Sequence, residues 1–208
     1  MKIALVDYGA GNLRSAARAL AEAGASPQVV TGAQGLRGAV AIVVPGVGAF
    51  APAMQRLGGA GLTGAIRDAA RGGVPLIGLC LGMQLLYEGS DEGVPTPGLG
   101  LLAGRVRRLP GTVKVPHMGW NTLDVRVADP LFDDLPVEPY VYFVHSYFVA
   151  PVEGATVLAE TFYGTRFPSV VRQGYIWGLQ FHPEKSSRVG ARLLRNLVRE
   201  IAAARSPA

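Results

Sequence analysis

The chain's single cysteine, Cys80, stands in the run Pro75-Leu76-Ile77-Gly78-Leu79-Cys80-Leu81-Gly82-Met83-Gln84-Leu85-Leu86. An apolar stretch enters the cysteine, a helix-compatible stretch leaves it, and a glycine lies two positions away on either side, the pattern of a nucleophile elbow. A sharp strand-to-helix turn lifts such a side chain above the sheet edge. Small neighbours avoid collision there, and helix N-terminal amides favour a thiolate and can bind an oxyanion. A lone cysteine among leucines is by default a small buried hydrophobe. The Gly-x-Cys-x-Gly frame turns the reading towards covalent catalysis.

A cysteine nucleophile needs a base, and the sequence offers three histidines: His117, His145 and His182. His182 directly follows an apolar run, Tyr175 to Phe181, and Glu184 lies two residues on, beyond Pro183, which stiffens the turn. Such a carboxylate orients an imidazole, as the third member of a triad does. His145, within Tyr142-Phe143-Val144-His145-Ser146-Tyr147, reads as a core histidine satisfied by a backbone partner. His117 follows Pro116 and reads as a loop residue at the surface or an interface. A second glycine turn, Val44-Pro45-Gly46-Val47-Gly48-Ala49-Phe50, lets backbone N–H groups approach a substrate carbonyl, a weak signal by itself. Gly9-Ala10-Gly11-Asn12 begins like a dinucleotide fingerprint, but Arg14-Ser15 stands where the third glycine belongs, so no nucleotide cofactor is expected.

These residues need a scaffold, and the first half of the chain supplies a β-loop-α rhythm. Ile3–Val6, Val40–Val44 and Val74–Leu79 read as strands of a mostly parallel sheet covered by helices on both faces. Leu13, Ala16, Ala17 and Leu20 recur at helical spacing, with Asn12 placed as an N-cap and Gly24 as a stop. From Arg105 to Ala159 the pattern changes to short, partly antiparallel strands punctuated by Pro and Gly. A buried strand over Tyr175–Phe181 precedes a final helix over about Ser187–Ala204, whose apolar face is Leu193, Leu194, Leu197, Val198 and Ile201. Glu88 to Gly100, rich in Gly and Pro, reads as a surface loop.

Composition narrows the class. At 208 residues, 49% apolar and 17% charged, the chain reads as one globular domain over residues 1–208, an α/β enzyme with a single core. Lys and Arg exceed Asp and Glu by 20 to 15, but the excess is scattered and no basic groove with interleaved aromatics accompanies it, which argues against nucleic acid. One cysteine excludes an internal disulfide and multi-cysteine zinc sites, and no metal is expected. Asp7 arrives too early for a signal peptide and no apolar run is long enough for a bilayer, so a cytoplasmic protein is expected.

Taken together, these motifs resemble the class I glutamine amidotransferases, and more narrowly the glutaminase subunits of imidazole glycerol-phosphate synthases in histidine biosynthesis. The class features are Gly78-Leu79-Cys80-Leu81-Gly82-Met83-Gln84 and Phe181-His182-Pro183-Glu184. The narrower group is marked by Asp7-Tyr8-Gly9-Ala10-Gly11-Asn12, Pro45 to Phe50, Pro116-His117-Met118-Gly119-Trp120-Asn121, Tyr142 to Tyr147, and His182-Pro183-Glu184-Lys185-Ser186. The resemblance runs nearly end to end.

It implies a flavodoxin-like amidotransferase fold and a Cys80-His182-Glu184 triad that hydrolyses glutamine through a thioester. It further implies an oxyanion hole from the amides of Gly48 and Leu81, and substrate contacts from Gln84, Ser146 and Tyr147. Ammonia would pass to a partner cyclase, a (β/α)8 barrel, for formation of imidazole glycerol phosphate and an aminoimidazole carboxamide ribotide. Asn12, Met118, Trp120, Tyr142 and Lys185 would meet that partner. Three other readings compete: an amidotransferase of another pathway, which the Pro116–Asn121 motif disfavours; a free-standing Cys-His amidase or peptidase; and a non-catalytic binding protein, which would require a broken triad.

Overall fold

The computed structural model describes residues 1–9, 11–151 and 156–204. Ala10, within the motif after the first strand, lies outside the described residues. The N-terminal half builds β1 (Lys2–Val6), α1 (Leu13–Glu22), β2 (Ser26–Val30), β3 (Ala41–Val44), α2 (Phe50–Gly59), α3 (Leu62–Arg71), β4 (Leu76–Leu79) and α4 (Leu81–Leu85). Then follow β5 (Tyr87–Ser90), β6 (Thr96–Pro97), β7 (Leu102–Arg108), β8 (His117–Thr122), β9 (Asp124–Val125), β10 (Tyr140–His145) and β11 (Tyr147–Pro151). The chain closes with β12 (Thr156–Phe162), β13 (Arg166–Gln173), β14 (Ile176–Leu179) and α5 (Ser187–Ala203).

An eight-stranded sheet in the order β2-β1-β3-β4-β14-β13-β12-β9 forms the frame. Its first five strands run parallel and the remaining three antiparallel. Side chains alternate across it with period two. Ile3, Leu5, Val43, Ile77 and Leu79 pack on the face covered by α1 and α5, through Leu20, Leu193 and Leu197. Ala4, Val6, Ile42, Val44 and Leu76 pack on the other face, against Phe50, Leu57, Leu62 and Ile66 of α2 and α3. Strands buried on both faces read as continuous apolar runs, which is why β1, β3 and β4 are visible in the sequence. Among the described residues, no helix is long and apolar enough to cross a membrane.

Several expectations need correction. Strand β2 lacked a sequence signal: it is an edge strand with three exposed residues and a proline, which an edge tolerates. The segment from Glu88 to Gly100 is not a plain surface loop. It contains the end of β5 and all of β6, which join β7 and β11 in a four-stranded sheet, and Ser90 and Leu99 are buried. Its Gly and Pro residues conceal that pairing because they carry no strand propensity. His117 does not lie in a loop: it opens β8 and is buried. Gly24 does stop α1, adopting φ 96° with its N–H on the carbonyl of Ala21.

Candidate active site

The parallel strands aim their C-terminal ends at one edge, where open α/β sheets gather their ligands. β4 ends at Leu79, and Cys80 takes φ 53° and ψ −111° before α4 begins. A residue with a Cβ holds that conformation only when its surroundings impose it. Cys80 donates its backbone N–H to the carbonyl of Leu179 at 2.7 Å, tying the elbow to β14. A Cβ at Gly78 would lie 2.6 Å from backbone atoms of Gly82 and Met83, and one at Gly82 would strike the Val44 carbonyl. The two glycines framing the cysteine therefore permit α4 to fold back tightly on β3 and β4.

His182 enters just beyond β14, where its backbone N–H reaches the Tyr142 carbonyl at 2.9 Å. Its carbonyl accepts from the Ser186 hydroxyl at 2.6 Å, and that hydroxyl accepts from the Tyr142 N–H. Nδ1 of His182 meets Oε1 of Glu184 at 2.8 Å, and both side chains are 4% exposed. The side-chain amide of Asn12 donates to the same carboxylate oxygen at 2.5 Å. Asn12 therefore does not cap α1 with its side chain: it sits at φ 71° and turns towards Glu184 instead.

Burial alone would drive the proton off His182. The Cys80 side chain and the Glu184 carboxylate outweigh that effect and push the imidazole up to about 10. Its Nε2 has no hydrogen bond of good geometry, although Cys80 is near enough to raise it electrostatically. The sulfur has only long contacts, to the Val144 carbonyl at 3.9 Å and from the Gln180 amide at 3.8 Å.

One cleft of about 460 Å³ is lined by Cys80, Gly48, Leu81, Gln84, Ser146, Tyr147 and Lys185 among others. The structure thus brings together the nucleophile candidate, both oxyanion candidates and the three substrate candidates. His182, Glu184 and Asn12 line a much smaller space of about 10 Å³, shared with the Pro45–Val47 segment. A larger depression of about 730 Å³, beside Asp134, Arg188, Arg192 and Arg195, contains no nucleophile. Among the described residues no cluster of His, Cys, Asp and Glu could hold a metal ion.

Three of the partner candidates, Met118, Trp120 and Tyr142, lie on one ribbon, whereas Asn12 precedes α1 and Lys185 follows Glu184. In the antiparallel pair of β8 and β10, Trp120 stands opposite Tyr142 and Met118 opposite Val144. Trp120 packs edge-on to Tyr142 at 5.9 Å, and Nζ of Lys185 lies 5.9 Å from the Tyr142 ring centre. Met118 is 62% and Trp120 52% exposed, so an apolar aromatic patch faces solvent.

Three residues with a place in this site escaped the sequence reading. Glu92 lines the cleft and accepts the Phe50 N–H at 2.8 Å, holding the start of α2. It lies in a segment read as a loop and carries no motif. Gln180, fully buried, accepts from Gln84 at 3.1 Å and donates towards Cys80. Its place in an apolar run hid it, and a glutamine near a histidine on such a run was the available signal. Tyr8 donates its hydroxyl to the Pro45 carbonyl at 2.7 Å, bracing the glycine turn.

Known proteins resemble this chain in sequence and in fold. The family model for class-I glutamine amidotransferases matches residues 4–201. The imidazole glycerol phosphate synthase subunit HisH of Oceanobacillus iheyensis is 50% identical over 193 residues, covering 93% of this chain and 96% of that protein. The protein of the same description from Deinococcus radiodurans is 49% identical over 205 residues, covering 98% and 95%. Among solved structures, a glutamine amidotransferase superposes with a TM-score of 0.77 at 26% identity, covering 96% of this chain and 98% of that one. PurLQS from Thermotoga maritima, 20% identical with a TM-score of 0.73 over 96% of this chain and 98% of that one, shares the fold.

Proposed function

Because the chain belongs to the class I glutamine amidotransferases, and within them to the HisH subunits of imidazole glycerol phosphate synthase, we propose that Cys80 hydrolyses glutamine and that the ammonia goes to a cyclase partner. The observation that carries this reading is Cys80, in a positive-φ backbone turn, beside a buried His182–Glu184 pair.

In this mechanism the Cys80 sulfur attacks the carboxamide carbon of glutamine, and the carbonyl oxygen takes the negative charge. Amides of Gly48 and Leu81, residues that line the same cleft as Cys80, stabilise that oxyanion. Protonated His182 then gives its proton to the departing nitrogen, ammonia leaves, and a thioester remains on Cys80. Neutral His182 next takes a proton from water as that water attacks the thioester, and glutamate departs with the sulfur freed and His182 protonated again. Glu184 holds the imidazole through Nδ1 and favours its cationic form, and Asn12 fixes the carboxylate.

Glutamine brings an α-ammonium and an α-carboxylate. Glu92 offers the cleft a carboxylate for the first, and Lys185, at the rim, offers positive charge for the second. Gln84, Ser146 and Tyr147 complete the substrate wall.

The partner is a (β/α)8-barrel cyclase that joins ammonia to a phosphoribulosyl formimino intermediate, yielding imidazole glycerol phosphate and an aminoimidazole carboxamide ribotide. It docks on the Met118, Trp120, Tyr142, Lys185 and Asn12 side, where exposed aromatic and thioether surface suits a buried hot spot. The test is glutamate release by the purified chain and by its Cys80→Ala variant, each with the cyclase. Turnover by the first and none by the second supports the reading; equal turnover removes Cys80 from it.

A further inference from the structure

Two buried histidines take no part in this mechanism, yet they join the docking ribbon to the cleft. His117 and His145 stand opposite each other on β8 and β10, on the ribbon face away from Met118 and Trp120. Nδ1 of His117 and Nε2 of His145 are 3.0 Å apart. The His117 ring is stacked between Phe143 and Tyr163, with ring centres at 4.8 and 4.0 Å.

The proton positions follow from one fixed acceptor. Nδ1 of His145 lies 2.8 Å from the Tyr147 carbonyl, which can only accept, so Nδ1 carries the hydrogen. Nε2 of a neutral His145 is then bare, and His117 must donate to it through Nδ1. Nε2 of His117 is left as an acceptor and takes the Asn121 amide at 3.3 Å. Asn121 is itself fixed, since its oxygen accepts the Thr122 N–H and its nitrogen donates to the Phe162 carbonyl. Burial keeps both rings neutral, bringing His117 down to about 4; at His145 burial likewise dominates, aided by neighbouring histidines against the Tyr147 bond, and the result is about 3.

On its cleft side the chain of bonds continues. The Tyr147 carbonyl also accepts from the Gln84 amide at 2.8 Å, so both of its lone pairs are occupied. The other Gln84 N–H goes to Oε1 of Gln180, whose own amide points at the Cys80 sulfur. With both donors engaged, Gln84 has only its carbonyl oxygen left for a ligand in the cleft.

We propose that His117 and His145 are positioning residues for the glutamine site: a pair of fixed tautomers that holds the Tyr147 carbonyl, sets Gln84 with its oxygen towards the substrate, and ties both to the partner-facing strand. This rests on the reading of the cleft as the glutamine site. Neither histidine touches the reacting atoms, and both act through Tyr147 and Gln84.

Two variants and one spectrum test it, using the complex with the cyclase. His117→Phe keeps the aromatic stack and deletes the donor, whereas His117→Asn can place an amide N–H near the Nδ1 position. KM for glutamine should rise about fivefold in His117→Phe, the worth of one hydrogen bond, and return towards the wild-type value in His117→Asn, with kcat changing less than about twofold. The ring 15N shifts of wild-type His145 should report a hydrogen on Nδ1 and a bare Nε2 across neutral pH. A folded His117→Phe with wild-type KM overturns the proposal. A hydrogen on Nε2 of His145 does so too, and that spectrum decides the matter if the phenylalanine variant fails to fold. Should the wild-type complex release no glutamate, the glutaminase reading fails instead, and the tautomers still judge the histidine pair.

Discussion

At Cys80 the backbone holds a conformation that a side-chain-bearing residue adopts only under constraint, and the constraint is supplied by the neighbouring glycines and the bond to Leu179. Strain at a candidate nucleophile fits a site whose geometry outranks local comfort. Cys80→Ala is expected to lower glutamine-dependent synthesis by about a thousandfold or more while ammonium-dependent synthesis by the complex persists, as measured by product formation from either nitrogen source. Loss of both would mean that the elbow itself had been disturbed.

His182 supplies a pH test. Its folded value of about 10 lies above its ordinary 6.5, so its stabilisation is complete below pH 6.5 and is lost as pH rises towards 10. Wild-type stability should fall across that window by an amount on the order of a few kcal/mol, and His182→Gln should lack that slope in denaturant titrations. Parallel curves would contradict the ion-paired state. The elbow at Cys80 and the pairing of His182 with Glu184 were legible in the sequence because each sits in a short motif. Asn12 was legible only as a residue of interest: its contact with Glu184 spans 172 positions and leaves no local pattern.

Among the elements, those buried on both faces announced themselves and those at edges did not. β1, β3 and β4 are short, mainly apolar runs, whereas β2 and β6 depend on partners that supply their hydrogen bonds. The ribbon of β8 and β10 was half visible: its aromatic run read as a strand, but Pro116 made the partner look like a loop. α4 illustrates how an element positions chemistry. It is only five residues long, and it packs closely enough on β3 that Gly82 has no room for a Cβ beside the Val44 carbonyl. Helix propensity favours alanine over glycine by about 1 kcal/mol, so the sign of Gly82→Ala is informative. The variant is expected to lose roughly 2–3 kcal/mol in chemical denaturation, because the obstruction is backbone and cannot swing aside. A gain in stability would show that α4 is free to move away from β3.

For the whole molecule, one edge of the sheet has two neighbouring surfaces: a polar cleft around Cys80 and an exposed aromatic ribbon around Trp120. That arrangement suits an enzyme whose product leaves towards a partner rather than into solvent. Replacing Met118 and Trp120 together with alanine should weaken cyclase binding by about thirtyfold or more with little change in melting temperature, since both side chains are more than half exposed in the free chain. Unchanged affinity by calorimetry would move the interface elsewhere. The family and its fold were readable from motifs spread along the chain, while the hydrogen-bonded path from Asn121 to Cys80 was not, because most of its links join residues far apart in sequence. Whether Cys80 drives a partner-coupled glutaminase is tested most directly by the rate of glutamate release from glutamine by the purified chain, alone and with the barrel cyclase and its nucleotide ligand. The predicted result is strong turnover in the complex that disappears with Cys80→Ala; turnover that ignores the partner, or that survives loss of Cys80, would contradict it.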